Sequence, residues 1–161
     1  MNLDFKRKDF RFNARTSAVI YNRDLSKVLL FNVEDTDFYM LPGGRIEELE
    51  ESIHAVKREL KEELGWDNIT YTFLALSEEF VNDKGYDNHQ INIIYKGIYN
   101  DEIKENKFKG LEGDWINFEW VNVSDIHQYK IFPKGIHEII DGSSNSNHLV
   151  NNLIKESNQK E

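Results

Sequence analysis

Apolar and polar positions alternate with a period of two along most of this chain and switch to the helical period in one stretch. Residues 14–20 and 27–31 are short apolar-rich runs on either side of Asn22-Arg23-Asp24, a pattern that predicts a hairpin. Residues 38–41 form a third extended piece, stopped by Pro42-Gly43-Gly44, which predicts an exposed backbone turn. Residues 69–81 are β-prone and lead into the turn Asn82-Asp83-Lys84-Gly85. A further strand follows over 89–99, where Ile91, Ile93 and Tyr95 alternate with Asn92 and Lys96. Residues 100–114 read as a polar loop and 116–121 as a short last strand. Short helices are predicted near 126–129, opened by Ser124-Asp125, and near 136–140, after Pro133. From Gly142 the composition turns to Ser, Asn and Lys, so residues 142–161 are expected to be a loose tail behind a single domain over 1–141. Strands, one central helix, more strands and a terminal helix predict an α/β (α+β) fold, a mixed-sheet sandwich.

The central helix spans 51–64, with Ser52 expected to cap its start and Gly65 to end it in the left-handed conformation. At 100° per residue, Ile53, Val56, Leu60 and Leu64 share one stripe, the core face. His54, Lys57, Arg58 and Lys61 spread over the solvated side, and Glu59, Glu62 and Glu63 fill a sector between the two. Like charges spaced i, i+3 and i, i+4 cost about 0.2–0.5 kcal/mol per pair. These three also sit near the helix C-terminus, where the dipole disfavours negative charge. Local rules tend to be broken where function demands it, and carboxylates converging on one point suit a hard cation.

Composition narrows the chemistry. The 161 residues are 39% hydrophobic, 30% charged and 12% aromatic, a globular balance. Cysteine is absent, so a metal would need oxygen or imidazole ligands, and the five histidines show no ligand spacing. A net charge of −9 argues against binding a nucleic-acid duplex, yet leaves room for a small anion beside a local cation. No apolar run approaches membrane-spanning length and residues 1–15 do not resemble a signal peptide, so the expected location is the cytoplasm.

The residues from Gly44 complete a longer pattern: five residues, Glu50, seven residues, Arg58-Glu59-Leu60, Lys61, Glu62-Glu63, Leu64, Gly65, Trp66. This resembles the Nudix box, G-x5-E-x7-R-E-U-x-E-E-x-G-U with U a bulky apolar residue. A chance match is on the order of 1 in 10⁸ per start position. Trp66 stands where Ile, Leu or Val is commoner, and Leu49 where many members have Gly.

The resemblance implies a Nudix-type α/β/α sandwich of the MutT-like kind. It also implies Mg²⁺-dependent hydrolysis (Mn²⁺ being the alternative ion) of a diphosphate linkage in a nucleoside diphosphate derivative: ADP-ribose, a nucleotide sugar or a modified nucleoside triphosphate. Glu59, Glu62 and Glu63, with the Gly43 carbonyl, would hold the metal. Arg58 would fix those carboxylates, and Glu50 would support the loop–helix geometry or an outer metal. Glu59 is the commonest place for the general base, but Glu112 or Asp114 on a later loop is an open alternative, with Glu78 and Glu79 behind them. For the substrate, Arg15 and Arg45 are candidate cations, Gly44 a point of close backbone approach, and Phe38, Phe132, Tyr39 and Tyr86 candidate stacking rings. A homodimer is compatible with the family. Two other classes share the fold: non-catalytic nucleotide-sensing or protein-binding modules, which commonly lose box glutamates, and diphosphate isomerases, which need a cysteine.

Overall fold

The computed structural model describes residues 1–154. Its elements are β1 (Asp4–Lys6), β2 (Phe10–Tyr21), β3 (Lys27–Val33), β4 (Tyr39–Met40), β5 (Gly43–Arg45), α1 (Ser52–Leu64), β6 (Ile69–Asp83), β7 (Tyr86–Tyr99), β8 (Lys107–Lys109), β9 (Ile116–Asn122), a 3₁₀ turn (Val123–Gln128), β10 (Ile131–Phe132), α2 (Ile136–Ile140) and β11 (His148–Asn152). One path through the sheet runs β10-β4-β3-β2-β7-β6-β11, with β1 and β5 also on β2, and β9 joining β3 to β8.

Period-two alternation in β2 sends neighbouring side chains to opposite faces of this sheet. Ala18 and Ile20 join Val56, Leu60 and Leu64 of α1 with Phe118 and Trp120. Val19 and Tyr21 join Ile126, Ile131 and the α2 residues Ile136, Ile139 and Ile140 on the other side. The result is a mixed sheet between helical layers, as the sequence predicts. Leu60 is fully buried, so Leu60→Ala is expected to cost about 2–5 kcal/mol in urea unfolding.

Several details depart from the sequence reading. The hairpin around Asn22 forms but pairs only Ile20 with Leu29 and Tyr21 with Val28. Beyond those pairs β2 joins β7 in parallel over its full length, and β3 turns to β9. Long-range pairing therefore outweighs the local hairpin. The polar loop contains β8, which borrows order from β9. The tail is not loose throughout: β11 adds in parallel to the edge of β6, from His148 beside Leu76 to Asn152 beside Phe80. Backbone pairing at an open edge does not need an apolar sequence. The remainder of that expected tail, residues 155–161, lies outside the described residues. Among the described residues no helix is long and apolar enough to cross a membrane.

Candidate active site

The Pro42-Gly43-Gly44 segment is not an exposed turn: Pro42 is a buried bend that leads into β5, where Gly43 is buried and Gly44 half-buried, because β5 pairs with β2 through Ser17↔Gly43, Thr16↔Gly44 and Arg15↔Arg45. Its two glycines do different work. Gly43 has φ of 148°, and a methyl there would meet the Thr16 carbonyl and stand 2.6 Å from Ser17 Cα. A methyl on Gly44 would overlap the Glu59 carboxylate instead. The strand is thus pressed against α1 so closely that the Glu59 head group occupies the space of the missing side chain.

α1 begins one residue differently from expectation. Glu51 is its N-cap without a side-chain bond, while Ser52 Oγ lies 2.7 Å from Tyr95 Oη, tying the helix to β7. Gly65 closes the helix at φ 73°, its N–H donating to Lys61 O, as expected. Arg58, on the solvated side of the helical wheel, folds back as a hub. Its Nε and Nη2 donate to the two Glu50 oxygens at 2.8 and 3.0 Å, Nη1 donates to Glu59 Oε1 at 2.9 Å, and Nη2 donates to Arg45 O at 3.1 Å. Glu62, half exposed, lies 3.4 Å from Nη1. The Arg58 hydrogen bonds lower the Glu50 pKa, and Glu50 in turn raises that of Arg58.

Glu63 is 7% exposed, and the Gly43 N–H donates to its Oε2 at 3.2 Å. Burial pushes its carboxyl up to about 8, opposed by Arg15 and reinforced by Glu59 and Glu112. Burial also raises Glu59, against the pull of Arg58, with Glu62 and Glu112 adding to the rise. Glu112 is brought to this cluster because the Leu111 N–H donates to Glu63 O at 2.8 Å. Asp114, further along the loop, is exposed.

Among the described residues no three acidic or histidine side chains stand gathered around one point. The expected convergence of Glu59, Glu62 and Glu63 is therefore not the arrangement found. Like charges repel, and each takes the strongest donor in reach: Glu59 and Glu62 lean on Arg58, and Glu63 on the Gly43 N–H. The set still fits a hard divalent cation. The donors are all oxygen, and a carboxyl raised first by burial and then by the neighbouring Glu59 and Glu112 is a place where added positive charge is stabilised.

A pH dependence follows. Glu63 keeps its proton in the folded chain up to about 8, whereas an ordinary glutamate loses it near 4.5. Between those values the folded state holds more protons, so the metal-free protein is expected to lose stability as pH rises, by at most about 1.4 kcal/mol per pH unit. Urea unfolding in chelator from pH 5 to 8 checks this. A flat profile would refute the burial of Glu63.

Beside the cluster lies a cleft of about 350 Å³ on the sheet face away from α1, lined among others by Arg15, Ser17, Leu41, Glu79, Gln90 and Phe132. None of the α1 glutamates lines it; Arg15 connects the two regions. Its Nη2 donates weakly to Leu41 O at 3.5 Å and Gly43 O at 3.4 Å. Desolvation lowers its pKa, opposed by Glu63 and Glu59.

The remaining sequence candidates are spread around this frame. Arg45 sits beside Arg15 in the β2–β5 register and is held by Asp4 at 3.2 Å. Phe132 lines the cleft, and Phe38 supports it edge-on at 5.2 Å between ring centroids. Tyr39 turns to Glu119 and Tyr129, and Tyr86 lies at the far hairpin end. Glu78 pairs with His148 on β11. Glu79 lines the cleft, away from the α1 carboxylates. The polar residues Asn13, Gln90 and Asn92 were not among the sequence candidates; the period-two positions of β2 and β7 are the signal that could have grouped them.

Comparison with known proteins agrees with this architecture. The family model described as NUDIX domain matches residues 11–141. The E. coli dihydroneopterin triphosphate pyrophosphohydrolase superposes with a TM-score of 0.62 at 19% identity, over 80% of this chain and 92% of that one. A MutT protein from Bacillus halodurans gives a TM-score of 0.60 at 18% identity, over 85% of each chain. At these identities the likeness is one of fold. In sequence, the mRNA-decapping enzyme subunit 2 of Saccharomyces cerevisiae is 41% identical over 54 residues, which are 34% of this chain and 6% of that protein.

Proposed function

Because the chain belongs to the Nudix family, whose hydrolases act on phosphorus-containing anhydrides, we propose that it cleaves the diphosphate linkage of a nucleoside diphosphate derivative with the help of Mg²⁺ or Mn²⁺. The observation that carries this reading is the Glu63 carboxyl, buried beside Glu59 and Glu112 and held against the Gly43–Gly44 strand by the Gly43 N–H. Glu59, Glu62 and Glu63, with the Gly43 carbonyl, are the groups that would hold the ion. The ion would supply neutralising charge for the phosphate oxygens and lower the pKa of the attacking water.

The chain's own residues supply the rest. Arg15, between carboxylates and cleft, orients the phosphate that stays with the nucleoside, and Arg45 beside it faces the other. Arg58 fixes Glu50 and Glu59 so that the acidic side of α1 keeps its place. Glu112, exposed on a loop anchored to Glu63 O, takes the proton of the water at a carboxylate oxygen. The water oxygen bonds to one phosphorus as the bond between that same phosphorus and the bridging oxygen breaks, and the leaving phosphate keeps the bridging oxygen and the electron pair. The cysteine-free sequence suits a reducing cytoplasm.

Incubation with Mg²⁺ and a panel of ADP-ribose, nucleotide sugars, dinucleoside polyphosphates and nucleoside triphosphates is the test. Release of a nucleoside monophosphate from at least one, stopped by chelator, is the expected result; no turnover across the panel would refute it. Glu112→Gln is expected to lower kcat by about 10²–10⁴-fold while weakening metal affinity, read by calorimetry, less than Glu59→Gln does, because Glu112 acts on Glu59 and Glu63 through its charge from an exposed loop.

A further inference from the structure

The cleft carries more chemistry than holding a phosphate requires. β2, β7 and β6 lie side by side, with Asn13, Gln90 and Glu79 in one register row and Arg15, Asn92 and Ser77 in the next. Both rows face away from α1. Two strand spacings and one same-face step put the Arg15 and Glu79 Cα atoms roughly 12 Å apart. That is about the span of a nucleotide from its phosphate to the far edge of its base. A phosphate at Arg15 therefore sends the ring toward Glu79, past Phe132, a residue that is 40% exposed and lines the same cleft.

Glu79 is an unusual group to find there. It is half buried, and its Oε1 accepts from Asn151 Nδ2 at 3.0 Å, which leaves acceptor capacity on the carboxylate. Among the described residues no cation pairs with it. Burial raises its pKa, opposed by the Asn151 amide and the Ser77 hydroxyl, and N–H donors from a ligand would relieve more of that cost. Beside it, among the described residues, the Asn13 and Gln90 amides have no side-chain hydrogen-bond partner and are free for the remaining polar atoms of a ring.

We propose that the cleft selects a heterocycle with adjacent ring N–H and exocyclic NH₂ donors, the 2-amino-4-oxopyrimidine edge shared by guanine and pterins, and that Glu79 is the residue that determines this choice. The proposal rests on the phosphoanhydride reading of the neighbouring site and names its substrate class. A carboxylate accepts from both donors at once. Adenine offers one donor next to a ring acceptor, and that acceptor faces a carboxylate oxygen without a proton between them.

The experiment compares GTP, a pterin triphosphate and ATP as substrates of the full chain and of its Glu79→Gln and Glu79→Asp variants, with GMP and AMP binding followed by calorimetry. Wild type is expected to favour a two-donor ring over ATP by about 10- to 100-fold in kcat/KM. The ratio of GTP to the pterin substrate then shows which source of that edge is preferred. Glu79→Gln is expected to bring the preference over ATP close to 1 and Glu79→Asp to retain part of it. Because the readout is a ratio, loss of folded enzyme does not imitate the effect, and thermal unfolding of each variant is measured beside it. An unchanged ratio in Glu79→Gln, or a wild type that favours ATP, overturns the proposal while the hydrolase reading stands. If nothing is turned over but GMP binds more tightly than AMP and Glu79→Gln abolishes the difference, the hydrolase reading fails and this one stands. Equal binding of GMP and AMP by a wild type without turnover overturns both.

Discussion

Glu59→Gln is expected to lower kcat/KM on any substrate of this protein by about 10²–10⁴-fold and to raise the divalent-ion concentration needed for half activity, with the fold intact. The substitution keeps the shape of a group whose carboxylate is half buried, touches Gly44 and accepts from Arg58. It removes one negative charge from a set in which Glu59, Glu62, Glu63 and Glu112 act on one another. Charge stabilisation by a bound ion is worth several kcal/mol at a phosphoryl centre, and losing a ligand forfeits much of it. Stability moves little, because the repulsion removed offsets the weakened contact with Arg58. Kinetics against metal concentration, with urea unfolding as the control, separate the two effects. A variant with wild-type activity and metal response would remove Glu59 from the machinery.

How far the sequence spoke for itself depends on the range of the interactions involved. The α1 helix, its apolar stripe and the Gly65 stop are local features, and local periodicity carried them. The resemblance carried the contacts of Arg58, which the helical wheel alone assigns to solvent; nothing in periodicity says that a long side chain will turn back over its own helix. Edge pairing was illegible for another reason. β8 and β11 are short, polar segments ordered by their neighbours β9 and β6, not by any pattern of their own. The depth of Glu63 was also out of reach. A wheel places it at the margin, and only the approach of β5 to α1 buries it. Glu79 stood in the sequence as a remote alternative base. The register of three strands, two of them joined in parallel across a long stretch of chain, moves it to the far end of the cleft.

That close approach gives the second large effect. Gly44→Ala is expected to leave a folded protein that has lost activity to nearly the extent of Glu59→Gln. The backbone at Gly44 does not have a left-handed φ, so alanine is compatible with it. What the new methyl meets is the end of a flexible side chain, the Glu59 carboxylate, which can rotate away. The cost falls on position rather than on the fold: a displaced Glu59 no longer shares a site with Glu63, and small misplacements at a reacting centre can cost about 10²-fold.

Gly43→Ala is the contrast. There the methyl meets backbone, in a conformation that L residues rarely adopt, so the β2–β5 pairing itself must shift and unfolding moves to lower urea. The double variant Gly44→Ala/Glu59→Gln tests the connection directly. If Gly44 acts through Glu59, the double variant is hardly less active than Glu59→Gln alone, since residues acting as one unit are not additive. Full activity in Gly44→Ala, or additive losses in the double variant, would show that Glu59 does not depend on the open space above Gly44.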